Sequence, residues 1–218
     1  MAKKENILLK LVITLVCITA VSAIALSAVY LVTEEPIAEI KTQRSNAAKI
    51  AVLPGFDANT GTFVVKRVLI EELKDSLTVT LAFVDDALFG AAVATHTNMG
   101  FSGRFDIMVG FDQEGDIFNT EVLSHQETPG LGDKMDKKKG TFPLQFIGKN
   151  PKANNLTVKQ DGGEIDAITA ATITARAFSD AVNNAWKAYQ VALKNYELKT
   201  EYEITTNTLV TEKEENYE

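Results

Sequence analysis

The run Asp166-Ala167-Ile168-Thr169-Ala170-Ala171-Thr172-Ile173-Thr174 places three threonine hydroxyls just ahead of a pattern that reads as a long helix. The first turn of a helix leaves its N–H groups without intrahelical acceptors, and the aligned peptide dipoles put partial positive charge there. Hydroxyls and open N–H groups at one such point suit a phosphate. Asp166 and Thr169 are also ordinary N-cap types, and on residue types alone a plain helix cap is the simpler account. A second run, His125-Gln126-Glu127-Thr128-Pro129-Gly130-Leu131-Gly132-Asp133-Lys134-Met135, joins a proline that fixes one dihedral to two glycines that let the backbone approach a bound group. By itself such a loop reads as a turn. His125 beside it has a hydrogen-bonding ring, but a lone histidine is more often packed or solvated, and His96 has less claim. Two histidines are a weak basis for a metal site. The acidic run Asp112-Gln113-Glu114-Gly115-Asp116 lacks the spacing of an EF-hand and reads as a solvated hairpin.

Taken together, the two runs carry a resemblance. Asp166-x-x-Thr169-Ala170-Ala171-Thr172 is similar to the D-x-x-[ST]-G-[AS]-T sequence at which FMN-binding subunits of bacterial respiratory complexes hold a covalent flavin. Glu127-Thr128-Pro129-Gly130-Leu131-Gly132 resembles the E-T-P-G-L-G loop on the flavin side of the same proteins, and the order of the two is the same. The likeness is to the family of G subunits from Rnf electron-transport complexes, with the C subunits of sodium-translocating NADH:quinone oxidoreductases as the near alternative. It implies FMN joined through its phosphate to Thr172, with Thr169, Ala170 and Ala171 around that phosphate. It also implies Glu127, Thr128, Pro129, Gly130, Leu131 and Gly132 along the ring, and Asp166 as a recognition residue for a flavin transferase of the ApbE type. Further implied are the other Rnf subunits as partners and electron flow between ferredoxin and NAD coupled to sodium or proton movement. No catalytic residue and no metal ligand are implied. One departure is Ala170, where the family usually has glycine; a methyl group there is expected to crowd the phosphate or the modifying enzyme.

Composition narrows the remaining classes. The net charge of −7 and the absence of a basic stripe exclude a nucleic-acid footprint. The one cysteine, Cys17, cannot form an internal disulfide or supply the thiolates of an iron–sulfur or structural zinc site, so redox chemistry here requires an organic cofactor. A length of 218 residues suits one membrane segment and one folded domain.

Residues 11–32 carry no charge and are long enough as a helix to cross a hydrocarbon core of about 30 Å. Lys3, Lys4 and Lys10 precede them and Glu34 and Glu35 follow, which places residues 1–10 in the cytoplasm by the positive-inside rule. The domain is then expected on the periplasmic or extracellular side of a bacterial inner membrane. A cleaved signal peptide is the competing reading, but the apolar run is long for one. After Pro36, a membrane-proximal amphipathic helix is expected over residues 33–55, ending at Pro54-Gly55.

The expected fold class is α+β, with one FMN-binding domain over residues 56–196 built on a mainly antiparallel sheet with flanking helices. Strands are read at residues 63–69, 77–84, 87–95, 105–111 and 116–123, with a short strand at 156–159. Residues 141–146 are expected to pack a loop over the cofactor. Phe178, Val182, Ala185, Trp186, Tyr189 and Leu193 recur at helical steps and form a core-facing stripe, with Trp186 in the core instead of on a flavin. Lys134, Lys137, Lys138 and Lys139 read as a solvated basic face, or equally as one that softens the charge of a nearby phosphate or docks an acidic partner. Residues 197–218 read as an acidic flexible tail. The rival from another class is a membrane-tethered scaffold domain, in which Thr172 merely begins a helix.

Overall fold

The computed structural model describes the backbone of residues 2–57, 59–70 and 75–215, and the side chains of residues 7–57, 59–70 and 75–196. The chain divides into two units, Met1–Ser45 and Asn46–Glu218. Helix α1 (Ala2–Val52) fills the first and ends in the second. Among the described residues it is the one helix long and apolar enough to cross a membrane. Its leucines, valines and isoleucines over residues 11–32 are exposed all round. The hydroxyls of Thr14, Thr19 and Thr33 donate to the carbonyls of Lys10, Leu15 and Val29 at 2.9, 3.0 and 2.8 Å. Each hydroxyl thus brings its own acceptor into a medium that offers none.

The separate amphipathic helix expected over residues 33–55 is corrected: α1 runs through Pro36 without a break. Proline withholds a single main-chain donor, and the residues on both sides supply theirs. The helix stops at Val52, where Pro54 follows and Gly55 turns the chain with φ of 88°.

Five strands form an antiparallel meander in the order β1 (Thr62–Ile70), β2 (Asp75–Val84), β3 (Ala87–Gly100), β4 (Gly103–Phe111) and β5 (Ile117–Ser124). The β2–β3 hairpin turns on Asp85 and Asp86, at φ of 49° and 61°, the double positive φ that a two-residue type I′ loop needs. The central strand β3 is rich in alanine because both of its faces are covered. Ala92, with Ala82 and Met108, packs under Ala48, Val52, Leu53 and Phe56 at the end of α1. Gly110 admits the Val52 carbonyl, a place that a Cβ would occupy.

On the opposite face, Ala91, Val93, Phe105, Ile107 and Phe111 meet helix α2 (Thr172–Glu215). The expected stripe is what packs there: Phe178, Val182, Ala185 and Tyr189 are buried, with Trp186 and Leu193 half-buried beside them. Tyr189 stacks on Phe111 at 5.1 Å and its hydroxyl donates to the Asp112 carbonyl at 2.7 Å. Trp186 lies against Phe111, as a core residue.

Three further expectations are corrected. The strand expected at residues 156–159 is a single parallel bridge, Val158 to Ile165, followed by a 3₁₀ turn at Lys159–Asp161; Gly162, at φ of 84°, reverses the chain too soon for a ladder to extend. Residues 141–146 form a 3₁₀ turn, Phe142–Phe146, whose rings join Phe178 in the core, at 5.4 Å for Phe142 and 5.2 Å for Phe146, and do not cover a cleft. Finally, the segment read as a flexible acidic tail continues α2 to Glu215, while residues 216–218 lie outside the described residues. No glycine or proline follows Gly163 to break the helix.

Candidate functional site

The two runs singled out in the sequence meet at one cleft of about 360 Å³, within the roughly 300–1,000 Å³ typical of small-molecule sites. Its lining is Glu127, Thr128, Leu131 and Gly132 from the loop after β5, Ala170 to Thr174 from the start of α2, and Phe101 from the β3–β4 turn. Thr169, Pro129, Gly130 and Asp166 stand outside this lining and build its frame.

Each run forms a tight turn. Leu131 N–H donates to the Thr128 carbonyl at 3.2 Å, with Pro129 second and Gly130 third at φ of 78°. Ala171 N–H donates to the Ile168 carbonyl at 2.9 Å, with Thr169 second and Ala170 third at φ of 62°. A positive φ at the third residue is the type II signature, which favours glycine. Ala170 therefore holds a left-handed conformation that costs an L-residue roughly 1–2 kcal/mol. This gives a backbone reason for glycine at the position. Ala170→Gly is expected to raise stability by about 1 kcal/mol after the entropy of glycine is set against the relief, read as a higher urea midpoint of the detergent-solubilised chain.

The turn at Ala170 decides where α2 begins. The first intrahelical bond runs from Ala175 N–H to the Ala171 carbonyl at 3.1 Å, so Ala171 holds the cap position and has no side-chain oxygen to offer. Neither Asp166 nor Thr169 caps the helix. The N–H groups of Thr172, Ile173 and Thr174 are left without intrahelical acceptors, beside the cleft. A simple cap would have closed this site; the structure leaves it open to an anion. The cleft lining contains no lysine, arginine or histidine.

Beneath the cleft, Glu127 fastens the parts together. It is 4% exposed; Thr174 Oγ1 donates to its Oε2 at 2.7 Å and Ser102 N–H donates to its Oε1 at 3.1 Å. Gly132 is required at its side, because a Cβ there would come within 2.5 Å of Glu127 Oε2. His125 serves the same loop, its Nδ1 accepting from Glu127 N–H at 3.2 Å, and has no place in the lining. Asp166 is gripped from below: its N–H donates to Gln145 Oε1 at 2.8 Å and its carbonyl accepts from Gln145 Nε2 at 3.0 Å. Its carboxylate stays exposed, 2.8 Å from Lys159 Nζ. Arg176 makes a two-pronged bond to Asp161 at 2.6 and 2.7 Å, which holds Asp161 below and Arg176 above their ordinary pKa ranges.

The basic run is partly committed to holding the loop. Lys137 pairs with Glu121 at 2.6 Å and Lys139 with Asp133 at 3.0 Å. The hydrogen bond from Lys139 holds the Asp133 carboxyl below the usual aspartate range. A depressed folded pKa stabilises above the unfolded value of about 3.9 and loses that stabilisation as pH falls below it. Acid melts should therefore show the native chain losing stability below that pH more steeply than Lys139→Met, in which the pairing is absent.

Sequence reasoning missed Phe101 in the lining, and it left Ile173 and Thr174, which end the run it singled out, without an assigned site role. The signal for Phe101 was a large apolar residue inside a turn bounded by Gly100 and Gly103; the signal for Thr174 was a third hydroxyl two residues after Thr172.

An antiparallel sheet with an anion-ready helix start and a Pro-Gly loop over an apolar cleft is matched by a family: residues 100–187 match the FMN-binding domain. The chain is also similar to the G subunit of the ion-translocating oxidoreductase complex of Aliivibrio fischeri, 39% identical over 134 residues, or 59% of this chain and 64% of that one. The protein of the same name from Vibrio parahaemolyticus is 47% identical over 88 residues, 39% of this chain and 42% of its own. That from Salmonella typhi is 41% identical over 110 residues, 49% and 53%. The chain thus spans less than two thirds of the length of these relatives. The apolar helix α1 and this likeness support a membrane anchor.

Proposed function

We propose that this chain is the membrane-anchored electron-transfer subunit of an Rnf-type ferredoxin:NAD oxidoreductase coupled to sodium or proton translocation, and that it carries FMN as a phosphoester on Thr172. The observation that carries the reading is the open start of α2: the Thr172 hydroxyl and three unpartnered N–H groups border the cleft that the Glu127-to-Gly132 loop completes. The likeness to the G subunits of ion-translocating oxidoreductase complexes supports the choice of complex.

The residues present fit FMN. The N–H groups of Thr172, Ile173 and Thr174 would hold its phosphate, and Leu131, Ile173 and Ala171 would keep water from its ring. FMN supplies one- and two-electron chemistry when bound, and the protein sets its position and surroundings. No catalytic dyad is needed. The cleft also explains why the link is covalent. With no cationic side chain in the lining, a free phosphate would be held by backbone N–H groups alone, whereas an ester fixes it and leaves it with one negative charge.

A transferase of the ApbE type would form the Thr172 Oγ–P bond as the pyrophosphate of FAD breaks and AMP leaves, the hydroxyl proton passing to the enzyme. Asp166, exposed just before that turn, would be read by that transferase. Lys3, Lys4 and Lys10 on one side of the apolar run and Glu34 and Glu35 on the other support an N-terminus in the cytoplasm and a domain outside. One helix cannot enclose an ion path, so the other subunits would move the ion.

The test is purification of membranes through a tag on this chain. Co-purification of the other subunits, with reduction of the chain-bound flavin when reduced ferredoxin is supplied, is expected. A chain that purifies with those subunits but whose flavin stays oxidised while NAD is reduced contradicts the carrier role.

A further inference from the structure

β1 forms one edge of the sheet and β5 the other. The β5 edge is partly taken by the chain itself: Ile117 N–H donates to the Lys149 carbonyl at 2.9 Å, and the Ile117 carbonyl accepts from Gly148 N–H at 2.8 Å. The β1 edge is open. Among the described residues its main chain bonds only to β2. Every second residue of an edge strand turns its N–H and C=O outward, so this nine-residue strand presents a row of unused donors and acceptors.

The side chains along that edge are also unpartnered. On the face shared with the end of α1, Phe63 packs on Phe56 at 4.7 Å. Further along the same face Val65 and Leu69 are 59% and 63% exposed, with exposed Arg67 between them. On the opposite face Val68 and Ile70 are buried, and the Lys66 ammonium lies 5.1 Å from the centre of the Tyr196 ring. Arg67 has no carboxylate partner among the described residues, in a chain whose net charge is −7.

Charge selects the occupant. A second copy of β1 is disfavoured: the two-fold antiparallel pairing that sets Val65 against Leu69 puts Arg67 opposite Arg67, and the pairing centred one residue earlier puts Lys66 opposite Lys66. Like charges directly opposite destabilise a strand pair. A strand with a carboxylate opposite Arg67 and apolar residues two places to either side satisfies Val65, Arg67 and Leu69 together, whichever way it runs.

We propose that the β1 edge is a docking site for an extended acidic segment of a partner protein, which adds to the sheet as a further strand beside β1. Main-chain hydrogen bonds supply the affinity, and the alternate side chains choose the segment. The flavin takes no part in this contact.

The test uses the full chain in its own membranes, with benzoylphenylalanine placed at Val65 or at Leu69. Light should join both positions to one segment of a partner, and mass mapping should find in it a carboxylate with apolar residues two places before and after. Arg67→Glu should lower the cross-linking yield several-fold, and Arg67→Lys should keep most of it. Hydrogen exchange reads the native chain without substitution: the main-chain amides of β1 should exchange several-fold more slowly in those membranes than in the chain purified alone. Cross-links to a second copy of this chain, to a segment lacking the carboxylate, or to nothing would overturn the proposal. So would a yield indifferent to Arg67→Glu, or β1 amides that exchange as fast in the membranes as in the isolated chain.

Discussion

Thr172→Ala is expected to abolish covalent flavin while leaving the chain folded. The Thr172 side chain is half-buried, and its hydroxyl has no hydrogen-bond partner among the described residues, so its removal orphans nothing. Alanine is well tolerated at the first helical position, and the cost in stability should stay within about 0.5 kcal/mol. The chemistry responds differently. Without Oγ there is no atom to form the phosphoester, and the backbone N–H groups that remain have no cationic side chain in the lining to assist them. Any flavin still present should then be lost on denaturation. Thr172→Ser keeps the oxygen and should keep the bond. In-gel flavin fluorescence after denaturation, paired with a melting curve of the folded chain, separates loss of attachment from loss of fold.

The second large effect is expected at Glu127, and it is structural. Glu127→Ala strands the Thr174 hydroxyl, which is fully buried, and the Ser102 N–H. An unpaired buried group costs about 1–3 kcal/mol. Two groups lose their acceptor at once, and the loop, the Phe101 turn and the start of α2 lose their shared tie. Glu127→Gln keeps an amide oxygen for one donor but presents an NH₂ to the other, so it should recover only part of the loss. Urea midpoints in the order native, Gln, Ala would support this account of the clasp. An alanine variant as stable as the native chain would show that the three segments hold together without it.

Much of this was legible in the sequence because it is written in local patterns. The uncharged run over residues 11–32, the alternation in the strands and the stripe from Phe178 to Leu193 each state a face that must be buried or left to lipid. The two site motifs were also legible, and the fold brings them to one cleft. What was hidden depends on contacts or on dihedrals. Ala170 at a positive φ shifts the cap to Ala171 and leaves the helix start open, and neither Asp166 nor Thr169 reveals that by type. Glu127 reads as a loop carboxylate until Ser102 and Thr174, distant in sequence, are seen to share it. Pro36 looked like a boundary because one residue was weighed without the helical stretches on both sides. The segment after residue 196 was read as a tail because it is rich in Glu, Thr and Asn and lacks an apolar period, yet α2 runs on to Glu215.

Peptide mass mapping decides whether Thr172 is the flavin-bearing residue. The full chain would be co-expressed with a transferase shown to load another FMN-binding subunit, then digested and fragmented. The account predicts one peptide carrying the mass of FMN less one water, with the fragment series placing it on Thr172. An unmodified peptide from the folded chain, or flavin mapped to another residue, would contradict it.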